Sequence, residues 1–242
     1  MDDQVRLLAD WFRVNNWPVL PCPVCRKGKL TSDEKHLKHV QSPSTYGWEH
    51  DSGDPADIRG ILYGVLYCND RACGEQVAVV GDYAVQRDID DTLDNYVRVR
   101  MLHPPVPVVE VPDSVPDSIR RTLIRAAGVS WSDPSAGVAL LRQSIERLMD
   151  ERGIAATASN GRFRTLHQRI TDFRGIESEV ADLLEAVKWV GNEGSHPGGL
   201  AAVDFVEAAE LVELALKLLY KPDTTALHER ARRVVEARAW VP

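Results

Sequence analysis

Only four cysteines occur in 242 residues, too few for a disulfide scaffold in a chain of this size. Positive charge is also short. Lys and Arg number 29 against 36 Asp and Glu, a formal net charge of −7, with a sequence pI near 5.5. That balance excludes a surface coated in basic charge for duplex DNA, while leaving room for a local basic groove. No apolar run approaches the ~20 residues that span a bilayer. The opening Met1-Asp2-Asp3 is acidic where a secretory signal is basic, and no apolar core follows it. A cytoplasmic location without membrane association is the expectation. No Gly-x4-Gly-Lys-Ser/Thr is present, and no Gly-x-Gly-x-x-Gly follows a strand-like run, which excludes nucleotide hydrolysis on a phosphate loop. Internal repeats and low-complexity tracts are lacking as well.

What is there suits a folded protein: 44% hydrophobic and 27% charged residues, enough chain for one large domain or two small ones. Val5, Leu8, Trp11 and Phe12 recur at helical spacing, which predicts an N-terminal helix within residues 1–20. From Pro21 onward glycine, proline and aromatics rise. Ile61-Leu62-Tyr63-Gly64-Val65-Leu66-Tyr67-Cys68 and Gln76-Val77-Ala78-Val79-Val80 read as two strands of a hairpin, inside a small β-rich module over 21–102. Pro104, Pro105, Pro107, Pro112 and Pro116 make 103–116 an extended linker. Residues 117–242 read as helices. Asp133-Pro134 starts one, with Val138, Leu141, Ile145 and Leu148 on its buried face. Another runs through Ile176, Val180, Leu183, Val187 and Val190. The next, from Asp204, is apolar around so much of its surface that it is expected to be central, and a homodimer is expected to cover the remainder. The expected fold is mainly α: a helical bundle preceded by a small β-rich, zinc-ribbon-like module.

Cys22-Pro23-Val24-Cys25 and Cys68-x4-Cys73 pair the cysteines. Two close thiolate pairs on tight turns form the tetrahedron that structural zinc prefers, and four thiolates leave no open position for chemistry. Scattered core cysteines do not group in this way. A redox dithiol at Cys22/Cys25 leaves the second pair unexplained. A Cys2His2 set with His36 and His39 has the wrong gaps and strands Cys68 and Cys73. Structural Zn2+ on Cys22, Cys25, Cys68 and Cys73 is the expectation.

Lys188, Asn192 and His196 fall at i, i+4 and i+8, one stripe of a helix. Gly191 to Gly199 is also how helices stop, and a histidine in the last turn suits the helix dipole. As a site, the stripe would offer His196 for acid–base work and Asn192 for positioning, with Lys188 as a point charge. Both readings stand at this point.

The order Cys-Pro-x-Cys, Cys-x4-Cys, a proline-rich stretch, Leu140-Leu141-Arg142-x3-Glu146, Gly191-Asn192-x3-His196 and Leu218-Leu219-Tyr220-x-Pro222 resembles the domain-of-unknown-function family 4145. That family falls within the HEPN superfamily, and the likeness covers about 116–222 of the helical part. The resemblance implies an all-α HEPN-like bundle, often dimeric, in prokaryotic restriction, phage-defence and toxin systems. It also implies a ribonuclease motif, Arg-x4–6-His, in active members. Here Gly191 stands where that arginine would, and glycine cannot clamp a phosphorane. The expected function is therefore a non-catalytic module that binds RNA, DNA or a protein subunit of a defence complex. A metal-independent endoribonuclease using His196 is the alternative. Arg26, Lys27, Lys29, Lys35 and Lys38, with Arg120, Arg121 and Arg125, are the candidate phosphate contacts.

Overall fold

The computed structural model describes residues 1–32, 35–45, 54–193, 199–221 and 224–240. The N-terminal segment forms a single helical turn, α1 (Asp3–Arg6), capped by the Asp2 carboxylate on the Gln4 N–H, and a 3-10 turn at Leu7–Ala9. It then becomes strand β1 (Phe12–Arg13). The helix expected within 1–20 is thus confined to its first turn. Phe12 leaves the helical path to pack edge-to-face on Trp17, with ring centroids 5.0 Å apart.

Strands β2 (Leu30–Thr31), β3 (Leu37–Gln41), β4 (Arg59–Cys68), β5 (Gln76–Arg87) and β6 (Leu93–His103) complete a six-stranded antiparallel sheet in the order β1-β6-β5-β4-β2. β3 pairs with the other end of the β4 edge. The β4–β5 hairpin lies where the sequence placed it, but β5 runs on to Arg87, and β6 is a long strand that the sequence reading lacked. Val97 and Val99 of β6 alternate with Tyr96, Arg98 and Arg100, the period of a half-buried strand. The β5–β6 register shifts between Val80 and Gly81, and Arg98 and Arg100, two residues apart on β6, both reach Asp82.

The chain is therefore not mainly α. It is 45% helical and 21% strand, and the N-terminal part is a broad, curled sheet in place of a small zinc-ribbon-like module. The charged residues at alternate β6 positions face outward and mask the strand in a reading that looks for apolar runs.

Six further helices follow. α2 (Asp117–Ser130), α3 (Pro134–Glu151), α4 (Leu166–Arg174), α5 (Ser178–Glu193), α6 (Ala202–Leu219) and α7 (Thr225–Ala237) account for most of the remaining chain. Asp133 caps α3 through the Ala136 N–H at 2.9 Å, as its place before Pro134 predicts. Thr165 and Gln168 form a reciprocal capping box on α4. Asp204 sits inside α6, where its carboxylate reaches back to the Ala201 N–H at 2.7 Å. The helix thus starts two residues before Asp204, the start read from the sequence. α6 is central, burying Phe205, Val206, Ala208, Ala209, Val212, Ala215 and Leu216. α7 buries none of its described residues.

One core joins sheet and helices. Leu66, Val77, Val79, Val99 and Leu102 from the sheet pack in the same cluster as Ile119, Leu123 and Leu141 from α2 and α3. Between them, the proline-rich stretch runs extended along that core, with Val106, Val108, Val109 and Val115 buried. A smaller cluster under the far end of the sheet holds Leu62, Tyr83 and Val97, closed by Phe12 and Trp17. No helix among the described residues is long and apolar enough to cross a membrane.

Candidate metal centre

Cys22 and Cys25 belong to the turn before β2, Cys68 ends β4, and Cys73 lies in the turn into β5. The pairing of Leu30 with Cys68 in the β2–β4 ladder sets the two turns side by side. Each turn is locked by its own backbone. The Cys22 N–H donates to the Gly28 carbonyl at 2.9 Å, and the Cys68 N–H to the Glu75 carbonyl at 2.8 Å. The residue after each second cysteine takes the left-handed conformation, φ 57° at Arg26 and 60° at Gly74. That conformation curls the chain around the sulfurs.

All four Sγ atoms lie within 4.8 Å of one another. Cys22 is 3.8 Å from Cys73, and Cys25 is 3.7 Å from Cys68. An ion bound tetrahedrally at ~2.3 Å from each thiolate spaces the sulfurs by ~3.8 Å, so the cluster fits a metal ion as it stands. The Gly28 N–H donates to Cys25 Sγ at 3.3 Å and draws that thiol down to about 7. Burial pushes Cys68 up to about 12. A cluster in which one thiol ionises readily and another resists is completed by a cation, which favours all four thiolates at once.

Gly28 is fixed by contact. A Cβ there would stand 2.4 Å from Cys68 Sγ and 2.9 Å from Asp70 Cβ. The turns therefore approach too closely for any other residue, and a glycine three places after the Cys-x2-Cys pair was the visible signal of this.

The α5 stripe is arranged differently. His196 lies outside the described residues. Lys188 is only 4% exposed. Its ammonium sits 3.3 Å from Glu185 Oε1 and 3.3 Å from His167 Nδ1, and 3.7 Å above the Trp189 ring. Burial by itself would raise Glu185, but Lys188, His167 and Arg174 together hold its carboxyl below the usual range. Arg174 adds a bond to Glu185 at 2.6 Å. His167 Nδ1 also lies 3.2 Å from Glu185 Oε1. It can accept from Lys188 or, when protonated, donate to Glu185, but not both. His167 and Glu185 were missed because they meet only where α4 crosses α5, a contact that spacing along one helix cannot reveal. Asn192 is half-buried. Arg142 lies against Gly191, its Cδ 2.2 Å from where a Cβ would be.

Residues 125–237 match the family model DUF4145, a domain of unknown function. The DUF4145 match begins within α2 and reaches the end of α7, so it takes in Lys188, Gly191 and Asn192 but none of the cysteines. A second model, the domain of unknown function DUF8608, matches residues 10–101. It spans the sheet from just before β1 into β6 and contains all four cysteines. The metal turns thus go with the sheet and not with the DUF4145 helices. No curated protein and no solved structure is similar enough to the chain to be matched.

Proposed function

We propose that the chain is a non-catalytic nucleic-acid-binding module, in which the four thiolates hold zinc for structure and the metal turns present cations to phosphate. Four soft thiolate ligands in tetrahedral spacing suit Zn2+, and with no fifth donor or open position the ion fixes the two turns. The carrying observation is the state of the cations there. Arg26, Lys27 and Arg71 are exposed at the tips of the two turns, and among the described residues no carboxylate pairs with any of them. Other arginines are committed, as in Arg87 with Asp54, Arg169 with Asp150 and Arg174 with Glu185, whereas Arg121 and Arg125 on α2 are exposed and among the described residues likewise have no carboxylate partner. On an acidic chain, unpaired cations gathered on one rigid feature make a local phosphate-binding surface. Arg120, by contrast, is spent on the backbone carbonyl of Pro112 at 2.9 Å. A prokaryotic defence or restriction-type setting is the part of this reading that rests on the resemblance to family 4145 and the HEPN superfamily.

The test is fluorescence anisotropy with labelled single-stranded RNA and DNA over a range of salt. Affinity should fall steeply as salt rises, and Lys27→Glu with Arg71→Glu should cost roughly tenfold or more. Absence of salt-sensitive binding to either nucleic acid overturns the proposal and leaves a protein partner as the reading to pursue.

One observation favours a second reading, the metal-independent endoribonuclease. Arg142 packs on Gly191, so an arginine does stand beside the position where the resemblance places one. Cleavage of RNA by the EDTA-treated protein, lost in both His196→Ala and Arg142→Ala, would establish it. The burial of Lys188 in its own ion cluster favours the binding reading.

A further inference from the structure

The face of the sheet turned away from the core carries a surface that runs up to the metal turns. Alternation along β4 sends Leu62, Leu66 and Cys68 inward and leaves Ile61, Tyr63, Val65 and Tyr67 on the outer face. The register supplies their outward neighbours. Val40 and Lys38 of β3 stand opposite Ile61 and Tyr63, Val80 of β5 stands opposite Tyr63, and Met101 of β6 opposite Val80. Val40, Ile61, Tyr63 and Met101 are each between 41% and 52% exposed. Large apolar groups from three strands therefore lie side by side in solvent, which marks an interaction surface. Tyr67 continues the row toward Cys68, with the His36 ring edge-on to it at a centroid distance of 4.8 Å.

Charge and size decide what suits this face. Lys38 is exposed beside Tyr63, and among the described residues no carboxylate pairs with it. At the positions flanking Ile61 to Tyr67 the one carboxylate is Asp82, and Arg98 and Arg100 both hold it. Where β4 ends, Arg71 stands with Arg26 and Lys27. The acids there, Asp70 and Glu75, are turned to the backbone N–H groups of Ala72 and Gln76 at 2.9 and 3.1 Å. The row from Ile61 to Tyr67 is ~20 Å long, and four strands are about as wide, so the face offers roughly 400 Å². A stable dimer buries about 800 Å² on each partner. The face is thus too small for a second copy of the chain and suits a narrow, linear anion.

We propose that this face is a stacking platform for single-stranded nucleic acid. Bases lie on Tyr63 and Tyr67, and phosphates meet Lys38 and the cations of the metal turns. This rests on the nucleic-acid reading above and adds to it the class of substrate, an unpaired strand. A tyrosine ring accepts the face of any base, and Val65 between the two rings, with Ile61, Val80 and Met101 beside them, covers further base surface. Tyr63 and Tyr67 are four residues apart on one strand, ~13 Å, so the bases they hold are splayed along the sheet. In a duplex the base faces are already stacked on one another and only their edges are offered, which these side chains have no means to read.

The experiment is fluorescence anisotropy of the metal-loaded full chain with four labelled probes: octathymidylate, octauridylate, an abasic octamer and a blunt duplex. A surface of cations alone prefers the duplex, whose charge density is higher. The platform instead predicts that an unpaired octamer binds at least tenfold more tightly than the duplex at the same salt, and the better of the two octamers tells DNA from RNA. Tyr63→Ala should weaken octamer binding about tenfold, and Tyr63→Phe, which keeps the ring, should not. The slope of affinity against salt should be the same in Tyr63→Ala as in the parent, because stacking releases no counterions. The abasic octamer should bind weakly, and equally to parent and Tyr63→Ala, which also shows the variant to be folded. Octamer binding that falls in Lys27→Glu with Arg71→Glu but is unmoved by Tyr63→Ala and Tyr67→Ala overturns the platform and leaves the nucleic-acid reading standing. Equal affinity for octamer and duplex, or for octamer and abasic strand, does the same. No binding to any probe overturns both.

Discussion

At the scale of single residues, the metal centre depends on one missing side chain. Gly28→Ala drives a Cβ to within 2.4 Å of Cys68 Sγ, so it should weaken metal binding by roughly tenfold or more, the scale seen when support around metal ligands is disturbed. Gly74→Ala separates this from turn strain. Nothing lies within 4 Å of a Cβ at Gly74, but its φ of +60° disfavours alanine. That change should cost about 1–2 kcal/mol of stability and leave the metal site intact. Competition of each variant against a chromophoric chelator measures the difference, and equal losses of affinity would refute the contact argument. Glu213 is the other critical residue. It is 3% exposed and accepts from the Met1 ammonium, from Lys217 Nζ at 2.9 Å and from the Glu110 N–H at 2.7 Å. Burial opposes its charge, but these donors prevail and hold its carboxyl below the ordinary value of 4.5. A depressed carboxylate contributes stability that is complete above that value and is lost as the pH falls below it through the folded one. Glu213→Gln should therefore cost about 3–5 kcal/mol near neutrality, as breaking a buried pair does. It should also flatten the acid limb of a plot of melting temperature against pH, and an unchanged acid limb would sink the assignment.

At the scale of elements, the metal and the sheet are one device. The two turns are the loops that feed β2 and join β4 to β5, and Cys68 is itself the last residue of β4. Removing the metal should therefore free β2, the end of β4 and the start of β5, while α3, α5 and α6 keep their protection. Hydrogen exchange before and after chelation reads this directly, and protection lost evenly across sheet and helices would contradict it. This localisation also shows what the sequence could and could not disclose. The four cysteines were legible because ligand chemistry restricts residue type and spacing within short loops. Helices α3, α5 and α6 were legible because apolar residues recur along them at helical spacing. β6 was not, since Arg98 and Arg100 interrupt its apolar residues and its pairing with β5 is set by the fold. The burial of Lys188 beside His167 likewise depends on α4 crossing α5, which no periodicity within α5 encodes.

For the whole molecule, the question is whether sheet and helices, which two different family models match, behave as two bodies or one. Domain boundaries fall where few contacts cross, and proline density in 103–116 marks such a place by composition. Packing describes that stretch otherwise. Val106 and Val108 are 0% and 3% exposed and Val115 is 3% exposed, and they join Val99 and Leu102 of β6 to Ile119 and Leu123 of α2 in one cluster. Separating the two parts would expose this apolar layer, at about 25 cal/mol for every Å² uncovered. Neither part keeps a finished surface when the other unfolds, which is the condition for a single cooperative transition. The metal-loaded chain should therefore unfold in denaturant with one midpoint, shared by far-UV circular dichroism, which reports the helices, and by metal release to an indicator, which reports the sheet. Val108→Asp puts a charge into the shared layer at a residue that is neither a cysteine of the metal site nor part of α6, and should lower both midpoints together. Metal release that moves alone, with the helical signal unchanged, would show that the proline-rich stretch does separate two independent bodies.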